Sequence, residues 1–137
     1  MEPLTVISPA GVHPPAGYSH AVLTSGPLLH VSGQVALDPA GALVGAGDLA
    51  AQAEQAFANL DAVLAAAGLA FDAVAALTIY IAAGSQAAGA ALRGPLRRRI
   101  AGPPPAMTVV FVAALMHPDW LIEIQATARA AHLPPLP

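Results

Sequence analysis

Apolar positions along this chain follow two periods, and where the period changes marks where the elements change. From Ala53 the spacing Ala53, Phe57, Leu60, Val63/Leu64 and Ala67 repeats at helical intervals, which predicts a helix capped by Asp48, running to about Ala67 and closed by Gly68. Its exposed face is expected to carry Gln52, Glu54, Gln55 and Asp61. Ser85 to about Ile100 predicts a second helix, short or kinked because Gly89, Gly94 and Pro95 interrupt it. The β-like runs are Leu4 to Ile7, His20 to Thr24, Leu28 to Val35, Ala73 to Ala82, Thr108 to Ala114 and Leu121 to Ala128. Ser25-Gly26-Pro27 reads as a hairpin signal and Asp38-Pro39-Ala40-Gly41 as a further turn. The resulting order, β-β-β-α-β-α-β-β, predicts an α+β fold with both helices on one face of a mixed sheet.

The last two strands decide the expected assembly. Thr108, Val110 and Val112 share one face of their strand and Val109, Phe111 and Ala113 share the other, so neither face is polar. Two helices cannot cover both sides of a sheet. The second face is therefore expected to bury itself against another copy of the chain, with Glu123, between Ile122 and Ile124, near that boundary.

A length of 137 residues fits one domain, 1–137, with a Pro-rich tail at 132–137. Hydrophobic residues make up 56% of it, but Asp, Gln, Glu, Gly or Pro break every apolar run before the ~20 residues a membrane helix needs. The start, MEPLTVISPAG, lacks a basic n-region and a long apolar core, so cytoplasmic residence is the expectation. With no cysteine there is no thiolate nucleophile and no sulfur metal site. A net charge of −3 argues against nucleic acid as a partner. The cluster Arg97-Arg98-Arg99 reads as a solvated helix end. His13, His30, His117 and His132 show no ligand spacing, and neither metal nor cofactor is expected.

Several stretches together resemble the RidA/YjgF family of reactive enamine/imine deaminases, once called endoribonuclease L-PSP. They are Gly17-Tyr18-Ser19-His20-Ala21-Val22, Val31-Ser32-Gly33-Gln34, Gln55-Ala56-Phe57-Ala58-Asn59-Leu60, Pro105-Ala106 and Leu121-Ile122-Glu123-Ile124, in family order from about Pro14 to Ala128. The resemblance implies a chorismate-mutase-like fold and a homotrimer with small-molecule pockets between subunits. It also implies a pocket carrying Tyr18, Ser32 and Glu123; Gly33 and Thr108 are expected to line it, and His20, two residues after Tyr18, to face the same way in an extended segment. In deaminating members an Arg directly after Pro-Ala grips the substrate carboxylate and the Glu positions water. Here that position is Met107, which offers only soft apolar contact, and the family's Asn in the second helix falls among Ala87 to Ala91.

Alternatives remain open for several of these residues. Glu123 shares its side of the strand with Gln125 and Thr127 and could be a solvent-face carboxylate; Tyr18 could be a loop aromatic over the sheet edge, and Ser32 part of a turn with Gly33. His20 reads as an acid/base group or as a structural histidine, and Trp120 as rim packing or an aromatic wall. Two functions follow: hydrolysis of an imine, enamine or related metabolite that lacks the usual carboxylate anchor, or a trimeric, non-catalytic binding module for a small apolar metabolite.

Overall fold

The computed structural model describes residues 3–82 and 87–132. Its elements follow the expected order: β1 (Thr5–Ile7), β2 (Ala21–Leu23), β3 (Leu28–Gln34), α1 (Leu49–Ala66), β4 (Val74–Ala82), α2 (Ala88–Arg99), β5 (Ala106–Val112) and β6 (Ile122–Arg129). The expected start of the second helix at Ser85 and most of the Pro-rich tail lie outside the described residues. β3, β6, β4 and β5 form one sheet in that order, antiparallel except for the parallel β4–β5 pair.

Sequence chemistry accounts for the boundaries of α1. Asp48 sits in extended backbone and its Oδ1 accepts from the Ala51 amide at 3.0 Å. At the other end the Gly68 amide donates to Ala65 O and the Leu69 amide to Leu64 O, with Gly68 at φ 71°. This paired closure needs a left-handed residue just past the helix, which glycine supplies without strain. α2 runs unbroken through Pro95 for 12 residues, rather than ending at it. Pro95 is itself buried, and burial of its ring helps offset the backbone bond it removes.

Phe57, Leu60 and Leu64 of α1 pack on Leu77, Ile79 and Ile81 of β4 and on Ile122 and Ile124 of β6 in one core cluster, which also takes in Ala91 and Leu92 of α2. Both helices thus cover one face of the sheet. Leu77 to Ile81 alternate buried and half-buried, as a sheet with only one face covered requires.

Three expectations need correction. β2 does not pair with β3 across Ser25-Gly26-Pro27; it pairs with β1, and β3 pairs with β6. The turn residues fix where the chain reverses, but sheet partners depend on long-range packing. Gln52 is not exposed: it is fully buried, with its Nε2 donating to Gly45 O and Asp119 O and its Oε1 accepting from the Leu121 amide at 2.9 Å. The open face of the sheet is not apolar either, since Thr78, Tyr80, Thr108, Glu123, Gln125 and Thr127 share it with Val110 and Val112.

Candidate functional site

Tyr18 is positioned by its neighbour. Ser19 is almost fully buried; its amide donates to Pro105 O at 2.9 Å and its Oγ to Pro104 O at 2.5 Å. The proline run thereby clamps the segment leading into β2, and Ser19 makes a parallel bridge with Ala106 at the start of β5. Beside it, the His20 ring meets Tyr18 edge-on with centroids 5.4 Å apart, and His20 Nε2 donates to the His13 carbonyl at 2.6 Å. A carbonyl can only accept, so Nε2 carries the proton there. In this arrangement His20 braces Tyr18 and the loop before it.

Tyr18 and Met107 line one cavity of about 660 Å³. Its floor is apolar, from Val109 of β5 and Leu96 and Ile100 of the α2 end, while Arg93 and Arg97 of α2 stand at its side. Met107 reaches this cavity because it is registered against the buried Leu77, on the helix-covered face of the sheet.

Glu123 lies elsewhere. It is registered against Tyr80 on the open face and is half-buried in a second cavity of about 330 Å³, with Gly33, Gln125 and Val112 around it. The Tyr80 hydroxyl donates to Gln125 Oε1 at 3.3 Å. Gly33 is required here for space rather than for backbone freedom: a Cβ at that position would overlap the Glu123 carboxyl group. Ser32 is exposed, and its carbonyl accepts from the Gln34 side chain at 3.0 Å. Thr108 is exposed on the open face, opposite Thr78. Within one chain, then, the expected residues form two groups: Tyr18, His20 and Met107 on one side, and Gly33 and Glu123 on the other.

Sequence reasoning missed the residues that hold these groups. Asn59 of α1 donates to both Val35 O and Leu37 O at 2.9 Å and accepts from Gln55. This ties down the chain just past Ser32-Gly33-Gln34. Nor are Arg97, Arg98 and Arg99 a uniformly solvated end. Arg98 pairs with Glu54, and Arg99 grips Asp61 through both Nε and Nη2, with Nη2 at 2.6 Å, while its guanidinium lies 5.1 Å from the Phe57 ring centre. Successive helical residues point about 100° apart, so a run of three cannot share one environment. Trp120 stacks on His117 in the loop before β6, with ring centroids 5.7 Å apart. Among the described residues no three His, Asp or Glu side chains converge as metal ligands would, and no helix is long and apolar enough to cross a membrane.

The family described as Endoribonuclease L-PSP matches residues 10–130. Protein DfrA from Myxococcus xanthus is 40% identical over 112 residues, covering 81% of this chain and 83% of that protein. A 2-iminobutanoate/2-iminopropanoate deaminase from Bos taurus is 37% identical over 78 residues, 57% of this chain and 54% of the enzyme. Among solved structures, a Rid-family protein of unknown function, YyfB from Yersinia pestis, superposes with a TM-score of 0.86 at 41% identity, covering 94% of this chain and all of that one.

Proposed function

The chain belongs to the Endoribonuclease L-PSP family, also called RidA/YjgF, and from that premise we propose that it hydrolyses a small imine or enamine in pockets shared between copies of itself. The observation that carries this reading is Glu123, a half-buried carboxylate kept over a glycine on a sheet face that the helices leave open. A carboxylate set in such a recess among apolar neighbours favours a chemical role over a solvating one. The name of the bovine relative, an iminobutanoate/iminopropanoate deaminase, supports the reaction class.

In this reading the chain forms a trimer. Tyr18 and Met107 of one copy then face Glu123 and Ser32 of the next, which joins the two groups that a single chain keeps apart. Phe111, on the same face of β5 as Met107, is 60% exposed and does not join the core cluster under α1 and α2. Apolar side chains left open in this way favour a partner surface. Glu123 would take a proton from water as the oxygen adds to the imine carbon. The nitrogen is then protonated, ammonia leaves, and a carbonyl remains. Tyr18 and Ser32 would align the substrate.

Met107 sets the substrate apart, because a thioether cannot hold a carboxylate next to the reacting carbon. It also favours a second reading: the same trimer binds a metabolite without turning it over. Met107→Arg separates the two. If Glu123 is competent, the variant gains hydrolysis of 2-aminoacrylate-type imines, and adding Glu123→Gln abolishes it. A folded Met107→Arg trimer that binds such acids without turnover leaves the binding module as the account.

A further inference from the structure

All five cationic residues of the chain are arginines, and four of them lie on α2. Two are accounted for by α1, Arg98 through Glu54 and Arg99 through Asp61. Arg93 and Arg97 are not: both are exposed, one helical turn apart, and among the described residues neither meets a carboxylate. With Leu96 and Ile100 they complete one stripe of the helix, at i, i+3, i+4 and i+7, along the cavity that also holds Tyr18 and Met107. No acidic side chain lines that cavity. Two like charges at this spacing repel each other unless an anion lies between them.

We propose that the Tyr18–Met107 cavity takes an amphipathic anion, its carboxylate or phosphate head gripped by Arg93 and Arg97 and its apolar body laid on Met107, Val109 and Ile100. The anion would thus be held from α2, which faces Met107 across the cavity. A ligand held this way carries its charge across an apolar spacer from any reacting carbon. Guanidinium forks match both head groups, each able to accept two parallel N–H bonds. This assignment rests on the cavity being the ligand site of the proposed function, and not on any chemistry at Glu123.

Calorimetric titration of the full chain with octanoate, octyl phosphate and octan-1-ol tests it. At least one of the two anions is expected to bind roughly tenfold or more tightly than the alcohol, the better one identifying the head group, and to weaken as salt is raised. Arg93→Gln and Arg97→Gln, both at exposed helix positions, should each erase most of that preference while leaving the melting temperature and the weak alcohol binding in place. An alcohol that binds as well as the anions, or variants that keep full anion affinity, overturns the assignment. If none of the three probes binds, the cavity fails as a ligand site altogether. Glutamine variants that break the assembly without altering ligand affinity assign the two arginines to a subunit contact instead, which also overturns it. Retained octanoate binding in Glu123→Gln, with no imine hydrolysis by any form, sinks the proposed hydrolysis and leaves the anion site standing.

Discussion

Met107 and Glu123 lie on opposite faces of one sheet, Met107 registered against Leu77 beneath the helices and Glu123 against Tyr80 on the open side. A single chain cannot bring them to one ligand. Any site that uses both is built from two copies.

Gly33→Ala should leave the fold almost intact and disable the Glu123 half. The three atoms nearest a new Cβ all belong to the Glu123 side chain, which can rotate away. A stability loss of about 1 kcal/mol or less is expected by denaturant titration. In the Met107→Arg background, imine hydrolysis should fall with it. A large loss of stability would mean that the glycine serves the backbone instead.

Gln52→Leu should be among the most damaging single changes. It leaves Gly45 O, Asp119 O and the Leu121 amide without their side-chain partner beside a fully buried position, and a group left unpaired away from water costs about 1–3 kcal/mol. A total loss of roughly 3 kcal/mol or more is expected in urea unfolding. A near-neutral result would show that water replaces the glutamine.

Arg99→Met should cost more than Arg98→Met. The Arg99 side chain is only 15% exposed, is bidentate to Asp61 and lies over Phe57, whereas Arg98 and Glu54 are both about half exposed. Exposed pairs contribute at most about 1 kcal/mol. Because Asp61 is itself 42% exposed, a coupling of about 1–2 kcal/mol is expected from an Arg99/Asp61 double-mutant cycle. Equal losses for the two arginines would contradict this ranking.

Phe111→Glu separates folding from assembly. Phe111 is largely exposed in the single chain, so a charge there should leave secondary structure intact. Burying that charge between copies would cost several kcal/mol. The unmodified chain is expected to sediment near roughly 41 kDa, three times its 13.6 kDa, and the variant near the single-chain mass.

Much of the fold was legible because it is written locally. Asp48 and Gly68 mark the ends of α1 by short-range bonding, and the eight elements appear in the order their periodicity predicts. What failed was long-range. Ser25-Gly26-Pro27 says where the chain turns but not that β3 will join β6. Gln52 looks like a surface residue because its partners at Asp119 and Leu121 are 67 and 69 residues away. Of the candidate site, Glu123 stands out as a lone carboxylate between isoleucines, whereas Tyr18 and Met107 are singled out through the family resemblance; their placement on two faces depends on strand register. The Arg93, Leu96, Arg97, Ile100 stripe follows from helical spacing, which separates Arg97 from its neighbours Arg98 and Arg99.

The absence of native cysteine allows the central claim to be tested by placing one thiol in each half of the site. Met107→Cys and Glu123→Cys, combined in one chain and treated with a short bis-maleimide, should yield covalent dimers and trimers on a denaturing gel. Neither single variant should give the trimer band. Because the two positions lie on opposite faces of their own sheet, the link can form only between copies. A double variant that keeps the native assembly, has both thiols accessible to a small maleimide, and still runs only as single chains would contradict a site shared between subunits.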